Sequence, residues 1–262
     1  MYRKIVLTAL IALLTMLIAT PAEAITFGEP DGDRHPNVGL TLTDLNGDGS
    51  LWLGCSGTLI SPTVFLTAGH CTNFLAQFGP ARSWITFDPE YNPASSERVP
   101  IAGFATHPGM DFHTYFNDVG VIILAEPVAG VAPALLASEN LLDQMKAAGT
   151  LQDQTFVNVG YGATADFKGN PPILTRDGLR RFSTSPYGSL TQNWHHLLGN
   201  YDATGQGGGC LGDSGAPRFL GDSNLIVSIT TWGDTNCRSL NMGQRIDTPV
   251  VRAFLGNYVT LP

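Results

Sequence analysis

The run Gly207-Gly208-Gly209-Cys210-Leu211-Gly212-Asp213-Ser214-Gly215-Ala216-Pro217 holds one hydroxyl, Ser214, among five glycines. Glycine reaches backbone dihedrals closed to other residues and lets another molecule approach closely. A serine on such a loop suits nucleophilic attack, because its own N–H and a neighbouring N–H can point at one developing oxyanion. The hydroxyl still needs a base, and the base needs a group to orient it. His70 is the candidate base. It follows the apolar run at residues 64–67 and precedes Cys71, whose disulfide would hold its backbone. Asp118 is the candidate orienting group, a carboxylate at the mouth of the apolar stretch 119–124. His35, His107, His113, His195 and His196 read as surface or packing residues, and Asp111 precedes no apolar strand.

These residues must be held by the elements around them. From Ile25 onward, short apolar or alternating runs are separated by Gly, Pro, Asn and Asp. That is the all-β pattern of closely spaced strands and turns. Strands are expected at 38–43, 51–57, 57–60, 64–67, 84–87 and 99–106, and then at the stretch after Asp118. Residues 125–140, rich in Ala and Pro, read as a linker between two halves. Further strands are expected at 155–160, 179–182, 194–198 and 225–232. Thr248 and Pro249 are start signals for a helix, and Val251, Phe254, Leu255 and Tyr258 then recur on one face. Asp44, Asn46, Asp48 and Gly49 imitate the start of a calcium loop, but Cys55 stands where the closing glutamate belongs. A hairpin turn is the better reading, and no metal or cofactor is expected.

The chain has 262 residues, 43% of them hydrophobic, enough for a sizeable core. Its first residues read as an export signal. Arg3 and Lys4 precede an apolar run at 5–19, too short for a comfortable membrane span. Ala22-Glu23-Ala24 has the small-x-small pattern of a signal-peptidase site, so 1–24 is expected to be removed and Ile25 to begin the mature chain. Four cysteines in an exported chain imply two disulfides with three open connectivities. Local pairing is the simplest, each bridge contributing about 3 kcal/mol through loop closure. The formal charge is −8, and without residues 1–24 it is −9, from 12 basic and 21 acidic residues. Such a balance argues against nucleic acid or an anionic membrane as partner.

Taken together, Thr67-Ala68-Gly69-His70-Cys71, Asn117-Asp118-Val119-Gly120 and Gly212-Asp213-Ser214-Gly215-Ala216-Pro217 resemble the three motifs of the chymotrypsin/trypsin family of serine peptidases. Ala216 stands where that family most often has glycine. The order His, Asp, Ser is the chymotrypsin order. The resemblance implies an all-β fold of two six-stranded antiparallel β-barrels with a C-terminal α-helix. The first barrel (25–136) would carry His70 and Asp118, and the second (137–262) Ser214. Ser214 would attack the peptide carbonyl, His70 would move the proton and Asp118 would orient the imidazole. The N–H groups of Gly212 and Ser214 would hold the oxyanion. The resemblance also implies the pairs Cys55–Cys71 and Cys210–Cys237, and a primary pocket based on Gly208 with Gly209, Thr231, Trp232 and Gly233 on its walls. A base without a carboxylate argues against Arg or Lys before the cut and for an uncharged residue, although Asp234 brings charge near. In the family, Asp213 pairs with a new N-terminal ammonium. No Arg or Lys immediately precedes Ile25, so signal peptidase itself would free that amine. The expected protein is a secreted, monomeric endopeptidase acting on protein or peptide. The competing functions are a catalytically silent binding module and an esterase.

Overall fold

The apolar runs of the first half form six strands: β1 (Val38–Asp44), β2 (Leu51–Ser61), β3 (Val64–Thr67), β4 (Ser83–Thr86), β5 (Val99–Thr106) and β6 (Gly120–Leu124). In this computed structural model, which describes residues 25–166 and 171–262, they close an antiparallel barrel in the order β1-β2-β3-β6-β5-β4. The second half supplies β7 (Thr155–Gly160), β8 (Arg181–Leu190), β9 (Trp194–Leu198), β10 (Pro217–Leu220), β11 (Leu225–Gly233) and β12 (Leu240–Arg245). They run β8-β9-β12-β11-β10-β7, and β7 pairs back onto β8 to close a second barrel. The two barrels share one cyclic strand order.

Each barrel has its own apolar filling. Leu59, Phe65, Ile85, Ile101 and Ile122 pack inside the first, and Phe156, Leu190, Leu197 and Val227 inside the second. A third cluster joins them, with Val38, Leu40, Leu66 and Val121 meeting Val159, Tyr161, Phe219 and Ile229. The two barrels therefore meet along a buried seam, and a cleft opens where that seam reaches the surface.

Among the described residues there are also four short α-helices: α1 (Gly69–Ala76), α2 (Leu141–Ala147), α3 (Tyr201–Thr204) and α4 (Pro249–Leu255). α4 begins as the sequence signals. Thr248 Oγ1 accepts a hydrogen bond from Val251 N at 3.4 Å, and Val251, Phe254 and Leu255 are buried in the seam cluster. Tyr258 packs there too, just past the helix end.

Several expectations change. Residues 51–57 and 57–60 are one strand, because β2 pairs with β1 as far as Thr58 and from Thr58 onward with β3. The turn at Asp44 is a capped hairpin turn, with the carboxylate accepting from the N–H groups of Gly47, Asp48 and Gly49. β10 went unread because it starts at Pro217, a residue tolerated at the first position of a strand. β12 went unread because its sequence is largely polar; its pairing with β9 and β11 makes it a strand. The expected leader at 1–24 lies outside the described residues. Among the described residues no helix is long and apolar enough to cross a membrane.

Candidate active site

His70 is not the last residue of a strand. The chain leaves β3, passes Ala68 in an extended conformation, and turns into α1. This puts His70 in the first helical turn, where backbone N–H groups lack intrahelical acceptors. Asp118 fills that need: its Oδ1 accepts from His70 N at 2.8 Å. The same carboxylate meets the imidazole, with Nδ1 2.9 Å from Oδ2 and 3.1 Å from Oδ1. Asp118 is fully buried, whereas the His70 side chain is 26% exposed. A ring nitrogen facing two carboxylate oxygens carries the proton, which leaves Nε2 as the basic atom on the exposed side. Cys71, bonded to Cys55, ties the turn to β2.

The serine loop is anchored from several sides. Cys210 is bonded to Cys237. Asp213 is fully buried and accepts from Gly162 N at 2.8 Å and Cys210 N at 2.9 Å. Burial pushes its carboxyl up to about 6, against the lowering effect of those two bonds. Ser56 on β2 reaches across the seam, its N–H donating to Ser214 O and its hydroxyl to Gly212 O, both at 3.1 Å. Gly212 has φ +95°, and a Cβ there would lie 2.5 Å from Arg176 Cζ, so this position requires glycine. The N–H groups of Gly212 and Ser214 donate to no acceptor among the described residues. Two free donors on adjacent turns are what a developing oxyanion needs.

His70 and Ser214 line one cleft of about 380 Å³, together with Tyr115, Gly209, Thr230, Thr231, Trp232, Gly233, Asp234 and Asn241. Trp232 and Leu211 are exposed at its rim. Of the expected pocket residues, Gly209, Thr231, Trp232 and Gly233 are on this lining. Gly208 is not: it faces the start of the described chain, where its N–H donates to Thr26 O at 3.3 Å and its carbonyl accepts from Thr26 Oγ1 at 3.1 Å. Asn241, whose Nδ2 donates to Gly209 O at 2.8 Å, is the polar side chain on the lining there. Ile25, expected to pair with Asp213, is fully buried. Thr230, Asn241 and Tyr115 were missed, since no local motif singles them out. A bulge in the β11–β12 pairing falls between Thr230 and Trp232, at the cleft, as bulges beside binding sites do.

Residues 35–253 match the family model described as Trypsin. The chain belongs to the trypsin family. Trypsin-family relatives include a vitellin-degrading protease of Bombyx mori, 23% identical over 184 residues that make up 68% of this chain and 66% of that protein. Serine protease 56 of Homo sapiens is 27% identical over 201 residues, 69% of this chain and 30% of the human protein. Fibrinolytic enzyme isozyme C of Lumbricus rubellus is 24% identical over 203 residues, 73% of this chain and 81% of its own length. The match thus spans less than two thirds of the first two. Solved structures with this trypsin-family fold include HBP, at a TM-score of 0.66, 18% identity and coverage of 90% of this chain and 97% of that one. HL collagenase follows, at a TM-score of 0.65, 17% identity and coverage of 88% and 97%.

Proposed function

We propose that the protein is an exported serine endopeptidase that cleaves peptide bonds through Ser214, His70 and Asp118. Ser214 Oγ attacks the carbonyl carbon while His70 Nε2 takes its proton. The tetrahedral oxyanion is held by the N–H groups of Gly212 and Ser214. His70 then passes the proton to the leaving amine, the C–N bond breaks, and an acyl-enzyme remains. Water, deprotonated by the same imidazole, attacks the acyl carbon, and the proton returns to Ser214 Oγ. Asp118 fixes the tautomer and stabilises the imidazolium.

The observation that carries this reading is the double contact of Asp118 with His70, on the wall of a cleft that also holds Ser214. The relatives named as proteases support it. The start of the chain bears on the same reading. In the proposed mature form, signal peptidase frees the Ile25 amine and its ammonium pairs with Asp213. Neither Gly208 nor Gly209, the expected pocket residues of the serine loop, carries a carboxylate, which argues against cleavage after Arg or Lys. From those glycines alone an uncharged residue is expected before the cut.

Phenylmethylsulfonyl fluoride should label the purified protein at Ser214. Ser214→Ala should lose the label and about a million-fold of kcat on casein. Turnover of a nitrophenyl ester without casein would favour an esterase. Neither label nor turnover in a folded protein would sink the reading.

A further inference from the structure

Arg218, on β10, is fully buried. Its Nη1 donates to His195 O at 2.7 Å, its Nη2 donates to Asn241 Oδ1, and its Nε has no partner. Among the described residues no carboxylate attracts this guanidinium. Burial alone acts on it and lowers its pKa to about 9, so it stays cationic at neutral pH. Room for it exists because β12 carries Gly243, where a Cβ would lie 2.4 Å from Nη1. A buried charge without a counter-charge is expensive, and such groups are usually paired.

The guanidinium sits directly behind the cleft. It can only donate, so the Asn241 amide must present Oδ1 to it. Nδ2 then faces Gly209 O and keeps a second N–H. Asn241 is 5% exposed and lines the cleft. Thr230 lines it as well, is 3% exposed, and its Oγ1 has no partner. The wall of the cleft therefore holds two donors with hydrogen-bonding capacity to spare, Asn241 Nδ2 and the solvent-shielded Thr230 Oγ1, and behind them a guanidinium with no carboxylate partner among the described residues. A carboxylate supplies what both donors and the charge lack.

We propose that this wall selects an acidic side chain, glutamate or aspartate, immediately before the cut bond, with Thr230 and Asn241 as its donors and Arg218 as the residue that positions and polarises Asn241. The proposal rests on the endopeptidase reading and replaces the uncharged preference expected from the glycines alone. Asp234 is the opposing charge. Its carboxylate lies toward the rim, where it accepts from the N–H groups of Arg238 and Ser239 and from Ser239 Oγ. Three donors of that turn are thus already spent on its charge.

The test uses peptide anilides that differ only before the cut bond: Glu, Asp, Gln, Ala, Phe and Lys. For the protein carrying a free Ile25, kcat/KM on Glu or Asp should exceed that on Gln, Ala or Phe by tenfold or more. Thr230→Val and Asn241→Leu should each cut the acidic-to-Gln ratio about tenfold, and Arg218→Met should abolish the preference. If circular dichroism shows Arg218→Met unfolded, the wild-type profile and the two lining variants decide. A preference for Ala, Phe or Lys, with normal titration by the sulfonyl fluoride, overturns the proposal and leaves the peptidase reading standing. An acidic preference untouched in both lining variants also overturns it. Labelling without turnover of any anilide counts against it, and absence of both label and turnover sinks the peptidase reading with it.

Discussion

Buried Asp213 is the group through which the proposed freeing of the Ile25 amine can be tested. Its carboxyl is raised to about 6 by burial in the chain as described, and the guanidinium of Arg176 is among the weaker influences that oppose the shift. The sign follows from linkage. A carboxyl raised on folding keeps a proton that the unfolded chain has lost, so stability falls as pH rises from about 4 to about 6 and is flat above. For a chain that keeps residues 1–24, about 3 kcal/mol should be lost across that window. Freeing the Ile25 amine should flatten the profile, because an ammonium beside Asp213 favours its charged form. Urea unfolding at pH 4, 5, 6 and 7, on an uncleavable chain and on one trimmed to Ile25, checks this. Identical slopes would rule out the proposed pairing. Asp118 is the complementary case: its charge is satisfied by a backbone N–H and an imidazole that belong to one helical turn.

At the scale of elements, the serine loop is held by its neighbours rather than by its own conformation. Ser56 of β2 donates to it twice, the β11 residue Thr230 accepts from Gly215 N at 2.7 Å, and Cys210–Cys237 pins it to the segment before β12. Replacing Cys210 and Cys237 together by Ala should cost about 3–4 kcal/mol, since the bridge closes a loop spanning 27 positions. Both residues line the cleft, so kcat/KM should fall along with the melting temperature. Thermal melts and anilide kinetics on the double variant test both parts, and unchanged kinetics would mean that the loop holds its shape without the bridge. The strands around the loop were partly legible. β1, β3, β5, β7 and β9 followed from apolar runs bounded by turn residues. β10 and β12 did not, because pairing with neighbours rather than hydrophobic pattern makes them strands.

Across the whole molecule, the two barrels are stapled by Arg180, just before β8. Its guanidinium bonds Asp31 Oδ2 at 2.8 Å, Val38 O at 3.0 Å and Phe87 O at 2.8 Å. Tyr161 adds a hydroxyl bond to Asp88 O at 2.7 Å, and His35 pairs with the other oxygen of Asp31. Removing one partner of a buried ion pair leaves the other uncompensated. Arg180→Met should therefore destabilise the protein by about 3–5 kcal/mol, and adding Asp31→Leu should recover part of that loss. Urea midpoints of the two variants measure it. A double variant no better than the single one would show that the carbonyl bonds, not the ion pair, hold the barrels together.

The sequence by itself determined the all-β texture, the presence of two disulfides with local pairing as the simplest of three connectivities, and the helix that starts at Thr248. It also singled out His70, Asp118 and Ser214 as candidates. Each of these follows from residue type, spacing or local periodicity, which a linear reading can see. Only the tertiary structure decided that the Gly208 backbone bridges to Thr26, and that Thr230 and Asn241 line the cleft. It alone put Arg218 behind them with no carboxylate partner among the described residues. Those facts depend on which strands lie side by side and in what register, and on whether a buried polar group finds a partner. Such contacts join residues on β10, β11 and β12 across the second barrel, and no single segment's pattern encodes them.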